Sequence, residues 1–191
     1  AEIVKLQAEI QALKVQVAKP PVVNIDTAKL ATVKAPATLT TAKAAKLGVK
    51  EVTGEFTTYF PYAEYRNNNL SRAAASINNT FLEPGEIFSL NDTLGQRTAA
   101  NGYIDGWVIQ GNQLQKEVGG GVSQSATTTF NAAFFAGLKD IEHHPHSLYF
   151  DRYPAGREAT VYYGALDLRF QNDTPYGVLM QALSLIHISE P

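Results

Sequence analysis

The sequence predicts an α+β domain in which a mostly antiparallel sheet packs against two helices. Three observations predict this fold class. Three consecutive glycines, at positions 119–121, lead directly into a helical pattern. Short segments of strand composition, separated by turn signals, stand on both sides of that pattern. Hydrophobic residues make up 45% of the 191 residues, which is enough for one core but short of what two full domains need.

The first predicted elements lie between residues 56 and 90. Residues 56–60 have strand composition, and Asn69, followed by helix formers, predicts a short helix over about residues 69–78. The sequence Glu83-Pro84-Gly85-Glu86 places proline and glycine at the two central positions of a type II turn. A short strand over residues 87–90 is expected to follow this turn.

A hairpin and the central helix come next. Residues 103–110 and 113–118 predict two strands that are joined tightly at Gly111-Asn112. Within the first strand, Trp107 is expected to belong to the core. The glycine-led helix is predicted over about residues 123–137. Its apolar face is formed by Val122, Ala126, Phe130, Ala133 and Phe134.

Four further strands are predicted after the central helix, over residues 141–150, 159–163, 166–171 and 176–181. In the third of them, apolar and polar residues alternate, which is the period of a half-buried strand. The apolar positions are Leu166, Leu168 and Phe170. Turn residues separate the four segments, so we expect a mostly antiparallel sheet.

The compact domain is predicted over residues 55–182, and the flanking segments differ from it in composition. Residues 1–18 carry apolar residues at alternating steps of three and four, so we interpret them as the last helix of a truncated upstream domain. Residues 19–54 are rich in Ala, Thr, Lys and Pro and are typical of a linker. Residues 183–191 read as the translation of a transposon-end adapter used in sequencing libraries, so we expect His187 to have no function.

This interpretation makes the chain a metagenomic fragment. It starts in the middle of a helical pattern, which leaves room for a membrane anchor in a missing N-terminal part.

Composition excludes several other classes of function and site. The net charge of -2 argues against a nucleic-acid partner, and zero cysteines exclude disulfides and thiolate metal sites. No window of about 18 apolar residues predicts a membrane span, and no cofactor is predicted.

The junction between the glycines and the helix is a candidate catalytic site. A helix start presents unpaired N–H groups and the positive end of the helix dipole. Ser123 at this position is a candidate nucleophile, with His146 as its base and Glu158 or Asp167 as the acid that orients the histidine. Backbone amides would stabilise a developing oxyanion, namely those of Gly120 and Gly121. The alternative interpretation is that Ser123 simply caps the helix.

The sequence Glu142-His143-His144-Pro145-His146 suggests a metal site but does not complete one. On an extended strand, Glu142 and His146 lie about 13 Å apart, so one ion cannot bind both unless the backbone bends. Two histidines alone are too few for a closed site. We therefore predict no metal, and favour an edge strand, marked by its proline, with solvated or hydrogen-bonded histidines.

A series of motifs across the compact domain resembles the VanW family in order and spacing. The motifs are Phe56-Thr57-Thr58-Tyr59, Arg66-Asn67, Pro84-Gly85-Glu86, Phe88-Ser89-Leu90-Asn91, Gly95-Gln96-Arg97-Thr98, Gly102-Tyr103, the triple-glycine helix start, His146-Ser147 and the run from Tyr153 to Val161. The resemblance implies an extracytoplasmic protein of the Gram-positive cell envelope, from a family named for genes near vancomycin-resistance clusters. Many members look to have cysteine where this chain has Ser123. If the family acts through a thiol, this difference argues against activity here.

The resemblance also implies peptidoglycan, or its peptide stems, as the partner. These stems end in carboxylates, which arginine binds bidentately. The predicted ligand-binding residues are Gly119, Gly120, Gly121, Gln124, Arg97 and Arg157. Two functions are therefore expected. One is a binding or accessory module linked to glycopeptide resistance or wall maintenance; the alternative is a peptidoglycan peptide hydrolase or transpeptidase that uses Ser123 and His146.

Overall fold

The computed structural model describes residues 49–110 and 113–184. The predicted helix over residues 1–18, most of the predicted linker and His187 lie outside the described residues. The elements in chain order are helix α1 (Glu64–Ile77), strands β1 (Thr80–Leu82) and β2 (Ile87–Ser89), helix α2 (Leu90–Leu94), strands β3 (Asp105–Gln110) and β4 (Gln113–Val118), helix α3 (Ser123–Phe135), and strands β5 (Lys139–Glu142), β6 (Arg169–Gln171) and β7 (Val178–Met180). None of the helices in the described ranges is both long and apolar enough to cross a membrane.

The described strands form three small sheets, and every pairing within them is antiparallel. Strands β2, β6 and β5 form a three-stranded sheet, β1 pairs with β7, and β3 pairs with β4. The first of these sheets contributes the stacked rings of Phe88 and Phe170, which are register partners with centroids 4.8 Å apart. The predicted α+β class is therefore confirmed.

Helix α3 contributes one face to the main hydrophobic core. Residues from α1, α2, the sheets and the loop before α3 pack into the same cluster. Its buried members are Ala73, Ile77, Leu82, Phe88, Leu90, Leu94, Tyr103, Val122, Ala126, Phe130, Ala133, Ala159, Val161, Leu168 and Phe170. Burial of this apolar surface is the main favourable contribution to folding, and it fixes α3 in the middle of the domain.

Several local predictions are confirmed. The turn at Glu83–Glu86 has Gly85 at a φ of 85°, as a type II turn requires, and the Glu86 N–H donates to the Glu83 carbonyl at 3.0 Å. The predicted hairpin is β3 and β4. On β6 and just before it, Leu168 and Phe170 are buried, as the alternating pattern predicted.

The predicted start of the first helix is wrong. Helix α1 begins at Glu64 with Ala63 at the cap position, five residues before Asn69. Asn69 lies inside the helix and is fully buried, because its side chain binds the backbone of the glycine loop and of the segment before β3. A residue type that favours helix starts is used here as a tertiary hydrogen-bonding group.

Two of the predicted strands are absent from the described residues, and a third is much shorter. Residues 56–60 form no strand, and β5 ends at Glu142 instead of continuing to residue 150. Within residues 159–163 only an isolated bridge, Tyr162 to Leu166, is formed. The physical reason in the last case is that side chains of α3 bind the backbone of Arg157 and Ala159. The Thr160 N–H still donates to the His144 carbonyl at 2.9 Å, but this single bond does not make a strand pair.

The prediction that Trp107 belongs to the core is wrong, since its side chain is 47% exposed. Neighbouring residues of a strand point to opposite faces. Here Gly106 packs closely against the glycine loop at Gly120, so Trp107 faces away from it. The Lys116 ammonium lies 5.5 Å from the centroid of the indole ring, in the register position opposite Trp107.

Candidate functional site

The glycine loop before α3 is shaped by close contacts with its neighbours. Gly119 and Gly121 have φ values of 86° and 88°, a region that side-chain-bearing residues rarely adopt. Gly120 is restricted in another way, because a Cβ atom on it would overlap the backbone of Gly106. Gly119 and Gly120 are buried, so the loop is a packing junction between β3 and α3.

Ser123 does not cap the helix, so the capping interpretation is wrong. Val122 occupies the cap position, and Ser123 is the first helical residue. The loop itself caps the helix: the N–H groups of Gln124 and Ser125 donate to the carbonyls of Gly121 and Val122, at 3.2 and 2.8 Å. The Ser123 hydroxyl instead bonds to the Thr160 hydroxyl at 3.0 Å. Ser123 is thus free of any role in closing the helix.

Polar side chains one turn apart continue this contact along α3. The Thr127 hydroxyl bonds to both the N–H and the carbonyl of Ala159, each at 3.0 Å. One turn further, Asn131 donates to the Arg157 carbonyl at 2.7 Å and accepts from its guanidinium at 2.8 Å. Side-chain hydrogen bonds therefore hold segment 157–160 along helix α3.

A neighbouring face of α3 holds a second segment, residues 58–59, through Gln124. The Gln124 amide group donates to the Thr58 hydroxyl at 3.1 Å and to the Tyr59 carbonyl at 3.0 Å, and its oxygen accepts from Arg66 at 3.1 Å. Thr128 adds a bond to Thr58 at 2.6 Å. Gln124, predicted as a ligand-binding residue, is 2% exposed, and all of these contacts are internal.

His146 and Glu158, which the sequence predicted as base and orienting acid, are brought together. His146 Nδ1 lies 2.9 Å from Glu158 Oε2, and the His146 ring stacks on Tyr153 with centroids 5.6 Å apart. Burial lowers the pKa of His146 below its usual value of 6.5, while the Glu158 hydrogen bond and charge oppose this shift. The positive charge of Arg152 lowers the His146 pKa further.

The pair is not joined to Ser123 by a hydrogen bond in the structure. Ser123 bonds to Thr160, and Glu158, two residues earlier on the same segment, bonds to His146. Asp167, the other candidate acid, lies elsewhere: it accepts from the Ser89 hydroxyl at 2.6 Å. The catalytic roles of Ser123, His146 and Glu158 therefore stay predictions.

The other two histidines of the sequence Glu142–His146 have different contacts. The His143 ring stacks on Phe130 with centroids 3.8 Å apart, and its Nε2 contacts the Glu158 carbonyl. His144 Nε2 lies 3.0 Å from Glu142 Oε1. The backbone N–H of Asp167 and then the His144 ring lower the pKa of the Glu142 carboxyl. Over residues 49–110 and 113–184, no group of three or more potential ligands could hold a metal ion.

The two arginines of the predicted ligand-binding set lie in different environments. Arg97 donates to the Asn91 side chain at 2.8 Å and packs against Gly119, and burial lowers its pKa. Arg157 is partly exposed, and its guanidinium carbon lies 5.0 Å from the ring centroid of Phe135. Arg97 and Arg157 are both partly exposed, and each guanidinium donates to an asparagine oxygen at 2.8 Å, Asn91 and Asn131 respectively.

A cleft that the sequence did not predict lies beside residues 56–59. It is lined by residues 56–59 on one wall and 151–154 on the other, and it opens to solvent with a volume of about 330 Å³. The guanidinium carbon of Arg152 lies 4.6 and 4.9 Å from the ring centroids of Phe150 and Tyr153. The strand composition of residues 56–60 was the one feature of the sequence that pointed to this cleft. No local pattern indicated that residues 151–154 lie across from them.

The pKa of His146 leads to a prediction about stability. The folded-state pKa is lowered, so the unfolded chain binds more protons in the interval between that value and about pH 6.5. Stability contributed by neutral His146 is present above pH 6.5 and is lost as the pH falls through the lowered pKa. Urea unfolding from pH 8 to pH 5 is expected to show this loss in the wild type and a smaller loss in His146→Gln.

The matched control is His144→Gln, because His144 is more exposed and its side-chain partner is the surface carboxylate Glu142. This variant should follow the wild-type curve over the same interval. An NMR titration that gave His146 a pKa above 6.5 would contradict the prediction.

Known proteins resemble most of the described region. The family model described as "VanW like protein" matches residues 65–186. The uncharacterized protein YoaR of Bacillus subtilis (strain 168) is 38% identical over 130 residues, which cover 68% of this chain and 43% of YoaR. Vancomycin B-type resistance protein VanW of Enterococcus faecalis (strain ATCC 700802 / V583) is 29% identical over 120 residues, 59% of this chain and 43% of that protein.

The matches cover only part of each relative. The chain spans less than half the length of both curated relatives, and no solved structure matches it. The family match ends at residue 186, inside the segment 183–191. The interpretation of that segment as a translated adapter stays a prediction.

Proposed function

The chain belongs to the VanW-like protein family, and on that basis we propose that its domain is a noncatalytic peptidoglycan-binding or accessory module of the cell envelope. Its role would be in glycopeptide resistance or wall maintenance. The name of the Enterococcus relative, a vancomycin resistance protein, supports this setting. Peptidoglycan lies outside the cytoplasmic membrane, so the proposal puts the domain there as well; protease treatment of intact cells checks that location.

One observation carries the noncatalytic part of the proposal. The Ser123 hydroxyl bonds to the Thr160 hydroxyl, which cannot act as a general base at neutral pH, and not to the imidazole of His146. A serine nucleophile requires a base within hydrogen-bonding reach. The polar side chains next along α3 are likewise used to hold segment 157–160.

Sedimentation with insoluble peptidoglycan tests the proposal. The purified chain is expected to pellet with peptidoglycan and to stay in solution without it. Ser123→Ala should pellet to the same extent as the wild type, because the serine hydroxyl has an internal structural partner. If the chain remains in the supernatant with peptidoglycans of several wall chemistries, the binding function is excluded.

A second candidate function is favoured by one specific feature. Segment 157–160 carries both the Glu158 partner of His146 and the Thr160 partner of Ser123, so a base and a nucleophile contact neighbouring positions of one segment. Catalytic hydrogen bonds are often looser without substrate. A peptide hydrolase or transpeptidase that uses Ser123 and His146 is therefore the alternative.

Digestion of purified muropeptides separates the two functions. The binding proposal expects the same product profile with wild type, Ser123→Ala and His146→Gln. Products that appear with wild type and disappear with both variants would replace the binding function by the enzymatic one. Circular dichroism of the variants distinguishes a lost nucleophile from a lost fold.

A further inference from the structure

Residues 55–60 pair with no strand among the described residues, and we call them the 55–60 edge. Their exposure alternates: Glu55, Thr57 and Tyr59 are exposed, and the residues between them are partly buried. Among the backbone hydrogen bonds of the described residues, none joins this segment to other backbone groups. Within the part of the chain that the structure describes, its one bonded backbone group is the Tyr59 carbonyl, which accepts from Gln124. Unpaired N–H and C=O groups in a row are a template for another strand.

The edge is held rigidly by α3. Gln124 and Thr128 both bond to the Thr58 hydroxyl, at 3.1 and 2.6 Å. The Phe56 ring packs on Phe135 with centroids 6.0 Å apart. A Cβ atom at Gly54 would overlap the backbone of α3, so the start of the segment lies directly against the helix. A preformed edge loses little conformational entropy when it binds a ligand.

The cleft of about 330 Å³ runs beside this edge, and its other lining segment carries the cation of Arg152 next to the exposed carboxylate of Asp151. Arg152 stacks on Phe150 and Tyr153, which restricts the orientation of its guanidinium. Tyr153 is 5% exposed and packs under His146, so the base of this wall is fixed. Arg152 forms none of the ion pairs found among the described residues. It is therefore available to bind an external carboxylate.

We propose that the 55–60 edge binds an extended peptide with a free carboxylate, which adds as a strand in the cleft while Arg152 binds the carboxylate. The proposal deepens the peptidoglycan-binding function and rests on it, because it names the stem peptide, rather than the glycan, as the part that is recognised. The four edge residues that line the cleft, 56–59, would span about 13 Å if fully extended, which suits a short peptide. The amides of the bound peptide would pair with the backbone N–H and C=O groups of the 55–60 edge. Specificity would come from the groups of the peptide and of the cleft that flank these amides.

The chemistry of the cleft favours this occupant over others. A sugar ring presents hydroxyls rather than a regular row of amides, so it would leave the edge unsatisfied. A second copy of the chain would supply a strand, but an internal strand carries no terminal carboxylate for Arg152. A guanidinium and a carboxylate can form two parallel hydrogen bonds, so a carboxylate is the ligand group that Arg152 would bind most strongly.

Hydrogen exchange on the complete chain tests strand addition. The probe is the stem peptide released from purified peptidoglycan, with its carboxylate free. We expect slower exchange of backbone amides within residues 55–60 when this peptide is bound. Methylating the peptide's amide nitrogens one at a time should weaken binding at alternate positions only, because successive amides of a strand point to opposite edges.

A second measurement tests the carboxylate contact. Loss of one charge-assisted hydrogen bond corresponds to about a tenfold or greater loss of affinity, so amidation of the peptide's terminal carboxylate should weaken binding by that factor. Arg152→Gln should have the same effect and should make binding indifferent to amidation. The matched control is Arg169→Gln on β6, whose side chain is directed to Glu142 at 3.9 Å; it should bind as the wild type does.

The outcomes separate this inference from the function on which it rests. If the chain pellets with peptidoglycan but the stem peptide does not slow exchange in residues 55–60, the edge is not the site and the binding function stands. If peptide-free glycan binds as well as peptidoglycan, the peptide is not the recognised part. If residues 55–60 are protected without peptide in a chain that sediments as a dimer, the occupant is a second copy. If neither peptidoglycan nor peptide binds, both proposals fail.

Discussion

Replacing Asn69 by alanine is expected to lower the free energy of unfolding by about 3 kcal/mol, because it removes three hydrogen bonds and leaves the buried Gly120 carbonyl without its partner. The Asn69 amide group donates to the carbonyls of Ile104 and Gly120, each at 2.9 Å, and its oxygen accepts from the Ile104 N–H at 3.0 Å. The side chain is fully buried, so water cannot replace these bonds in the folded state. Urea unfolding of wild type and variant measures the difference.

The control for this experiment lies on the same helix. Asn67 makes no side-chain hydrogen bond among the described residues, so Asn67→Ala should change stability by less than about 0.5 kcal/mol. If the two asparagine variants lose the same stability, the loss comes from helix propensity or from general asparagine effects. The tertiary role of Asn69 in joining α1 to the glycine loop would then be wrong.

Gly120→Ala is expected to cost about 3 kcal/mol for a steric reason. Its backbone does not have the positive φ of the glycines on either side, so alanine would suit its conformation. The added Cβ, however, would overlap the Gly106 carbonyl group, and backbone cannot move aside as a flexible side chain does. Either β3 or the start of α3 has to shift, and both are part of the packed domain.

Gly164→Ala provides the contrasting control. Gly164 has a φ of 79°, but a Cβ atom on it would meet nothing within 4 Å. Its substitution should therefore show only the conformational penalty of about 1 kcal/mol. Thermal or urea unfolding should rank Gly120→Ala well below Gly164→Ala. Equal losses would mean that the contact between Gly106 and Gly120 does not restrict the loop.

Local sequence patterns predicted the elements whose structure depends mainly on local chemistry. The turn around Gly85, the β3–β4 hairpin and the glycine-led helix all follow from residue types at fixed spacing. Predictions failed where a partner distant in sequence determines the outcome. Trp107 faces solvent because its neighbour Gly106 meets the glycine loop, and Asn69 is a buried connector because that loop lies beside α1.

The candidate site divides in the same way. His146 and Glu158 could be paired from chemistry, since a buried histidine benefits from a carboxylate partner. The Thr160 partner of Ser123 and the internal role of Gln124 depend on which segments lie on the two sides of α3. No residue pattern near Arg152 indicates the opposite wall of the cleft. Such features require the tertiary structure.

The anchoring of residues 58 and 59 on Gln124 affects how the domain should be trimmed for expression. The family match starts at residue 65, which suggests a convenient boundary for a minimal fragment. A fragment cut there would lose the Thr58 hydroxyl and the Tyr59 carbonyl, and it would leave the Gln124 amide without these two acceptors beside α3. It would also uncover the side of α3 that Gly54 approaches closely. We therefore expect a fragment that starts before residue 54 to be more stable than one that starts at residue 65, where the family match begins.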